Sequence, residues 1–346
     1  MRLFRCRRRR LGFAISCEAV ALPRRDMSQL NPGLRPWFRS ALHRLGQRPN
    51  QGLSPKGHDT TAGQSHRLTS DGKAEPPVSF LFRKRDGYQA NHLSIAGVDP
   101  SGGAGIVADV KTIMALDCFP AVAITSITFQ NTSGVYGASH QSAEVLRAQI
   151  EPILDDFIIA AVKTGMLPTV EIISEVARIF SENDLPAPVV DPVMRATSGD
   201  SLIEETALDS LKSKLFPIAK VVTPNIPEAE RLTGFSIENL EDMKQAAEKI
   251  KSFGSRAVLI KGGHMPLGDK REAVDVLLDE NDSVTEFRRP YFDVGNVHGC
   301  GCTLSAAIAS YLGRGKTLVD AVYEAKGYVT ERIRLAQQLG RGARPL

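Results

Sequence analysis

The sequence predicts an α/β protein with a mostly parallel central sheet and helices on both faces. Two observations carry that expectation. From about residue 91 onward, short apolar runs alternate with amphipathic stretches of helical period, as repeated βα units do. Glycine-rich turns, each leading into a helical pattern, stand at opposite ends of this region, around Gly97–Gly105 and Gly299–Gly301, and such corners of α/β sheets bind ligands.

In chain order, strands are expected at Leu93–Ala96, Ala121–Ile127, Ala161–Thr164, Pro188–Asp191, Val221–Thr223 and Ala257–Ile260. Helices are expected at about 103–117, 143–156, 169–182, 204–214, 226–233 and 239–253. Val274–Leu278 and Ser283–Phe287, joined by the turn-forming run Asp279-Glu-Asn-Asp282, read as an antiparallel hairpin at a sheet edge. Two helices, about 301–312 and 317–337, close the chain.

The charge is informative once divided. Residues 1–90 carry 18 Lys and Arg against 6 Asp and Glu, a net of +12, whereas residues 91–346 carry 25 against 33, a net of −8. The basic character belongs to the leader, and an acidic body disfavours a nucleic-acid role. No stretch approaches the ~20 apolar residues of a membrane span. Five cysteines, an odd number, do not make a disulfide framework and point to a reducing compartment, here the cytoplasm.

Residues 1–90 lack sustained periodicity and are rich in Arg, Pro, Gly, Ser and Gln, so a disordered basic leader is expected, with the functional domain at 91–346. Arg7–Arg10 followed by an apolar run imitates a secretory signal, but Glu18 and Pro23-Arg-Arg-Asp26 interrupt it. An Arg-rich, acid-poor transit peptide fits better and would make the location organellar. The plainest reading is a start site assigned upstream of a protein that begins near His92.

The segment His298-Gly-Cys-Gly-Cys-Thr303 is the most telling. Alternate glycines let backbone N–H groups converge, and the helix that follows adds its positive dipole end, so an anion hole is expected. Cys302 stands at its mouth, where a helix N-terminus would favour the thiolate. The first glycine turn, Ile95-Ala-Gly-Val-Asp-Pro-Ser-Gly-Gly-Ala-Gly105, has neither dinucleotide-fingerprint spacing nor the Gly-Lys-Ser/Thr ending of a P-loop. Polar groups gather at the predicted strand ends: Gln130-Asn131, Lys163-Thr-Gly-Met166, Asp191-Pro-Val-Met194, Thr223-Pro-Asn-Ile-Pro-Glu228 and Lys261-Gly-Gly-His264. Asp191, Asn225 and Glu228 are hard oxygen ligands suited to a Mg2+ ion, though Asn225 reads equally well as a helix N-cap.

Taken together, these segments, with Ser198-Gly-Asp200 and Glu324-Ala-Lys326, closely resemble the hydroxymethylpyrimidine and phosphomethylpyrimidine kinases of thiamine biosynthesis, members of the ribokinase-like family. The resemblance covers residues 92 to about 342. It implies a three-layer ribokinase-like fold and ATP-dependent phosphorylation of 4-amino-5-hydroxymethyl-2-methylpyrimidine and then of its monophosphate. It implies that Gly299, Cys300, Gly301 and Cys302 form the hole, with Cys302 as base. Lys261 and Lys326 would meet ATP, and Asp191, Asn225 and Glu228 would hold Mg2+, directly or through water. Gly97, Asp109, Gln130 and Met166 would bind the pyrimidine, the Gln130 carboxamide matching an exocyclic amine and ring nitrogen. A homodimer is favoured, with small-molecule partners only.

Departures are few. Cys300 stands where threonine or another small residue is usual, Val297 where threonine is common, and Val98 and Val107 replace more polar residues. The last residues, Gly340-Arg-Gly-Ala-Arg-Pro-Leu346, differ from the aromatic tail usual in the family. The nearest rival is a pyridoxal kinase of the same fold, against which Gln130 and Met166 speak. A non-catalytic pyrimidine-phosphate sensor is a third reading, disfavoured by the intact base, lysine and metal set.

Overall fold

A computed structural model describes residues 2–6, 17–21, 88, 90–196, 199, 202–263 and 272–346. It divides into two units, Met1–Phe80 and Leu81–Leu346. In the first, strands β1 (Arg2–Cys6) and β2 (Cys17–Ala21) pair antiparallel. The expectation of disorder did not include this pair, and the rest of the leader up to residue 87 lies outside the described residues.

The second unit carries a nine-stranded sheet. In chain order its elements are β3 (Asn91–Val98), α1 (Gly105–Ala115), β4 (Phe119–Asn131), β5 (Gly134–His140), α2 (Ala143–Asp156), β6 (Ala161–Thr164), α3 (Val170–Glu182) and β7 (Val189–Val190). They continue as α4 (Ala207–Ser210), β8 (Val221–Val222), α5 (Ile226–Thr233), α6 (Leu240–Lys251), β9 (Val258–Lys261), β10 (Glu272–Leu278), β11 (Val284–Pro290), β12 (Val297–His298), α7 (Cys300–Gly313), α8 (Leu318–Arg334) and β13 (Arg344–Pro345). The spatial order is β11-β10-β9-β8-β7-β6-β3-β4-β5. The six strands from β9 to β4 run parallel, while β10, β11 and β5 are antiparallel to their neighbours. This is the expected α/β architecture, with the expected hairpin at one edge.

The pleat sorts strand residues onto two cores. Val162, Val190, Val222, Val258 and Ile260 join one, closed by Leu146 and Ile150 of α2, Ile172, Val176 and Ile179 of α3, and Met243 and Ile250 of α6. Their neighbours Ala161, Val189, Val221 and Leu259 join the other, closed by Ala307 and Ile308 of α7 and Ala321, Val322 and Ala325 of α8. Each fully buried Val, Leu or Ile contributes about 1.5–3 kcal/mol, so the double covering fixes the central strands and holds their carboxyl ends in register. Ser142, Thr169 and Thr317 cap α2, α3 and α8 by accepting from main-chain N–H groups, as their places before apolar-periodic runs require.

Three differences from the expected elements have physical reasons. β5 was not anticipated, because Gly134-Val-Tyr-Gly-Ala-Ser-His140 lacks an alternating apolar pattern and forms by pairing with the extended end of β4. The helix expected at 204–214 is a single α turn continued by π and 3-10 turns to Ile218, where Pro217 and the packed Phe216 force the tightening. The chain's last residues return as β13, parallel to β12, so that they lie beside His298.

Candidate active site

The carboxyl ends of β3, β4, β6, β7, β8 and β9 open on a cavity of about 840 Å3, within the range of ligand pockets. Gly97, Gln130 and Met166 line it, as do Asp191, Asn225 and Glu228, Lys261 and Lys326, and the whole run Gly299–Cys302. Twelve of the thirteen residues expected at the site therefore share one wall. The exception is Asp109. It is fully buried in α1, bonded by Lys163 Nζ at 2.8 and 2.9 Å and by Ser94 Oγ at 2.6 Å, and stands off the cavity. The residue that faces the cavity in its place is Lys163, whose expected role was only that of a motif member.

The hole is built from both glycine turns. Gly299 is the N-cap of α7 with φ +88°, and a Cβ there would lie 1.9 Å from Gly103 O, so only glycine lets the two turns meet. Thr303 N–H bonds Gly299 O at 2.9 Å, so the amides of Cys300, Gly301 and Cys302 precede the helical ladder and form the first turn facing the cavity. The first turn is knotted by Asp99, which accepts from Ser101 N and Oγ, Gly103 N, Ala104 N and His298 Nε2 at 2.7–3.1 Å. Burial raises its carboxyl, but the His298 and Ser101 bonds win and hold it down at about 2.

Gln130 has neighbours at both ends: Thr128 Oγ1 lies 3.1 Å from one and His298 Nε2 3.0 Å from the other. Proton accounting fixes their roles. The ring N–H is given to Asp99, and the Thr128 hydroxyl proton goes to Val98 O at 2.8 Å. The consistent network then turns the carboxamide so that its oxygen shares the His298 N–H and its NH2 donates to Thr128. One lone pair and one N–H remain for a ligand.

Cys302 corrects an expectation. Its place at a helix start suggested a thiolate, but burial pushes the thiol up to about 11. The Lys163 ammonium pulls it down, Asp109 and Asp191 push it further up, and the Gly105 N–H opposes them. Burial likewise raises Cys300 to about 11. Both are neutral thiols in the ligand-free protein. Burial would lower Lys163 itself, yet the Asp109 charge, the Asp191 charge and the Asp109 hydrogen bond together win and keep it an ammonium.

At the other end of the cavity Lys261 Nζ lies 2.7 Å from Asp191 Oδ1, with Thr223 Oγ1 and Ser305 Oγ also on that carboxylate. A Cβ on Gly301 would come within 3.1 Å of Lys261 Nζ, which puts this ammonium beside the hole. Asn225 is an N-cap: its Oδ1 accepts the Glu228 N–H at 2.9 Å, and Glu228 returns the bond to Asn225 N at 2.8 Å, a full capping box. That leaves the two carboxylates. Burial raises Glu228 to about 7, against Lys261, which lowers it, and with Asp191, which adds to the rise. Among the described residues no three His, Cys, Asp or Glu side chains cluster as ligands. Ser198, Asp200 and His264 of the expected motifs lie outside the described residues.

Residues 99–346 match the sequence model of the phosphomethylpyrimidine kinase family. The chain belongs to that family. It is similar to the hydroxymethylpyrimidine/phosphomethylpyrimidine kinase of Streptomyces coelicolor, with 42% identity over 73% of this chain and 92% of that protein. It is also similar to the thiamine biosynthesis bifunctional protein ThiED of Geobacter sulfurreducens, with 43% identity over 79% of this chain and 55% of that longer protein, so it spans about half of such bifunctional relatives. Among solved structures, the phosphomethylpyrimidine kinase of Clostridium difficile is 41% identical, with TM-score 0.62 over 70% of this chain and 99% of that one. The ADP complex of Bacillus subtilis pyridoxal kinase is 35% identical, with TM-score 0.67 over 74% and 96%. The fold is thus the ribokinase-like one, and the protein is an ATP-using kinase. No helix among the described residues is long and apolar enough to cross a membrane. A rice relative, 40% identical over 73% of this chain, is described as chloroplastic.

Within the family frame, Asp99, Lys163 and His298 are the residues that the sequence did not single out. A lysine in the strand Ala161-Val162-Lys163-Thr164, which is buried throughout, is itself the missed signal, since a strand buried on both faces accepts a charge only with a partner.

Proposed function

We propose that this chain transfers the γ-phosphoryl group of ATP to the hydroxymethyl oxygen of 4-amino-5-hydroxymethyl-2-methylpyrimidine, and then a second one to the monophosphate so formed. The observation that carries this reading is one cavity lined at once by Gln130 and Met166, by the first turn of α7 and by Cys302. Phosphoryl transfer asks for positioning and charge neutralisation rather than covalent help. In the first step the hydroxymethyl oxygen bonds to the γ-phosphorus, the bond from phosphorus to the β-bridging oxygen breaks, and the hydroxyl proton passes to Sγ of the Cys302 thiolate, the minor form at neutral pH of a thiol that burial raises to about 11. In the second step the attacking oxygen belongs to a phosphate whose last proton leaves near pH ~6, so no base is required.

Gly299–Cys302 amides hold the transferring group in this reading, and Lys261 moves its charge from Asp191 toward the phosphates. A Mg2+ ion would neutralise phosphate charge, and Asp191 and Glu228, two carboxylates on one wall, suit an ion that keeps several waters. Asn225 is assigned to the capping box rather than to the ion, because a neutral amide oxygen already accepting an N–H is a weaker ligand than the two carboxylates. The free thiols Cys118, Cys300 and Cys302 support a reducing, cytoplasmic setting. A homodimer would cover the exposed Ile127, Phe129 and Tyr136 at the β4–β5 edge.

A second reading, pyridoxal phosphorylation, is favoured by the solved neighbours that are pyridoxal kinases, including one from Staphylococcus aureus bound to AMP-PCP and pyridoxal at 33% identity. A coupled ADP-release assay with the pyrimidine alcohol, its monophosphate and pyridoxal decides between them. The pyrimidines should give the larger kcat/KM, and a larger value for pyridoxal would overturn the specificity argument built on Gln130.

A further inference from the structure

Asp275 stands in β10 directly opposite Lys261 of β9 and lines the cavity, yet the chemistry above gives it no role. Its side chain is buried, as is that of its partner Lys326. Oδ2 lies 2.5 Å from Lys326 Nζ, and Oδ1 accepts the Gly262 N–H at 3.0 Å. One carboxylate therefore joins the turn after β9 to α8. That turn is confined from the other side as well. A Cβ on Gly262 would lie 2.1 Å from Val274 O, and the Lys261 N–H is bonded to Pro224 O at 2.8 Å. The main chain at Lys261–Gly262 is thus tied on both sides, and Lys326 is held next to it.

We propose that Asp275 is a positioning residue for the nucleotide: it locks the Lys261–Gly263 turn and the Lys326 ammonium into one rigid cradle for a polyphosphate. A buried ammonium without its carboxylate would be an uncompensated charge and would shift toward whatever anion or water it could reach. A turn without its acceptor would lose the register that aims Lys261 at the hole. The cradle serves the nucleotide rather than the acceptor, since Gln130 and Met166 lie on β4 and after β6 and make none of these contacts. The inference rests on the kinase reading above.

The test compares Asp275→Ala and Asp275→Asn with the unmodified protein. Asp275→Ala should raise the KM for ATP about tenfold or more, as loss of substrate positioning does. The KM for the pyrimidine alcohol should stay unchanged. ADP affinity measured by calorimetry should weaken in parallel, and exchange of the Gly262 amide should accelerate in the nucleotide-free protein. Asn keeps an oxygen for Gly262 but not the charge for Lys326, so Asp275→Asn should fall between. Unchanged ATP KM and unchanged Gly262 exchange in Asp275→Ala, or equal rises in both KM values, would overturn the proposal. If Asp275→Ala does not fold, Asp275→Asn decides alone: a raised ATP KM supports the cradle and a normal one refutes it. Should the unmodified protein phosphorylate no acceptor, the catalytic reading fails, while ADP affinity and Gly262 exchange still judge Asp275.

Discussion

Cys302 is where sequence and structure diverge most usefully at the level of single residues. Its position was legible, because glycines flanking a cysteine before a helical run leave little else for it to do. Its protonation state was not, because burial among Asp109, Asp191 and Lys163 is a product of the tertiary fold. A base with a pKa near 11 is scarcely ionised at neutral pH, so the rate of alcohol phosphorylation should rise with pH, about tenfold per unit between pH 7 and 9. Cys302→Ala should cut kcat on the alcohol by about two to four orders of magnitude and spare the monophosphate, whose nucleophile carries no proton. Equal losses on both acceptors, or a flat pH profile for the alcohol, would remove Cys302 as the base. Far from the cavity, His92 is buried in β3 with neither ring nitrogen meeting a partner, and burial lowers it to about 4. The unfolded chain therefore takes up this proton first. The stability contribution is complete above pH ~6.5 and falls by about 3 kcal/mol as pH drops toward 4. Urea unfolding of the unmodified protein and of His92→Leu from pH 7.5 to 4 should show this extra slope only in the former; parallel curves would contradict it.

Among the elements, α5 shows how one motif can carry two readings that only geometry separates. Thr223-Pro-Asn-Ile-Pro-Glu228 matched a metal-binding pattern and a helix start equally well on paper. The capping box establishes the helix-start reading of Asn225, whose Oδ1 accepts the Glu228 N–H and keeps one lone pair. Asn225→Ala should cost about 1 kcal/mol of stability, whereas Asn225→Asp, which still caps, should cost much less. Neither should change the Mg2+ concentration for half-maximal rate, and a large shift in Asn225→Ala would restore it as a ligand. Elements with a strong period were legible almost to the residue: Ala161–Thr164 and the helix at 226–233 agree with the expected limits. β5 and the broken helix after Ala207 were not, because the first depends on a partner strand and the second on Phe216 packing at a proline.

For the molecule as a whole, charge set residues 1–90 apart from the rest, whereas the second compact unit begins at Leu81. Tyr88 packs edge-on against Phe119, which stacks on Phe157, and Ala90 O accepts the Phe119 N–H. A chain shortened to begin at Leu81 should therefore fold with full kinase activity, whereas one beginning at Asn91 should melt lower; an inactive or unfolded Leu81 form would show that the leader is part of the catalytic unit. The site as a convergence of six strand ends was legible only in outline, since sequence order does not reveal that Asp109 turns inward to Lys163 while Asp275 meets Lys326. The account's central claim is that one cavity phosphorylates the pyrimidine twice. Phosphorus NMR of a single reaction containing the protein, Mg2+, ATP and 4-amino-5-hydroxymethyl-2-methylpyrimidine tests it most directly. The account predicts a phosphomonoester signal that appears first and then gives way to the two coupled signals of a diphosphate ester, while a reaction that forms only ADP and inorganic phosphate, or no product from the pyrimidine at all, would contradict it.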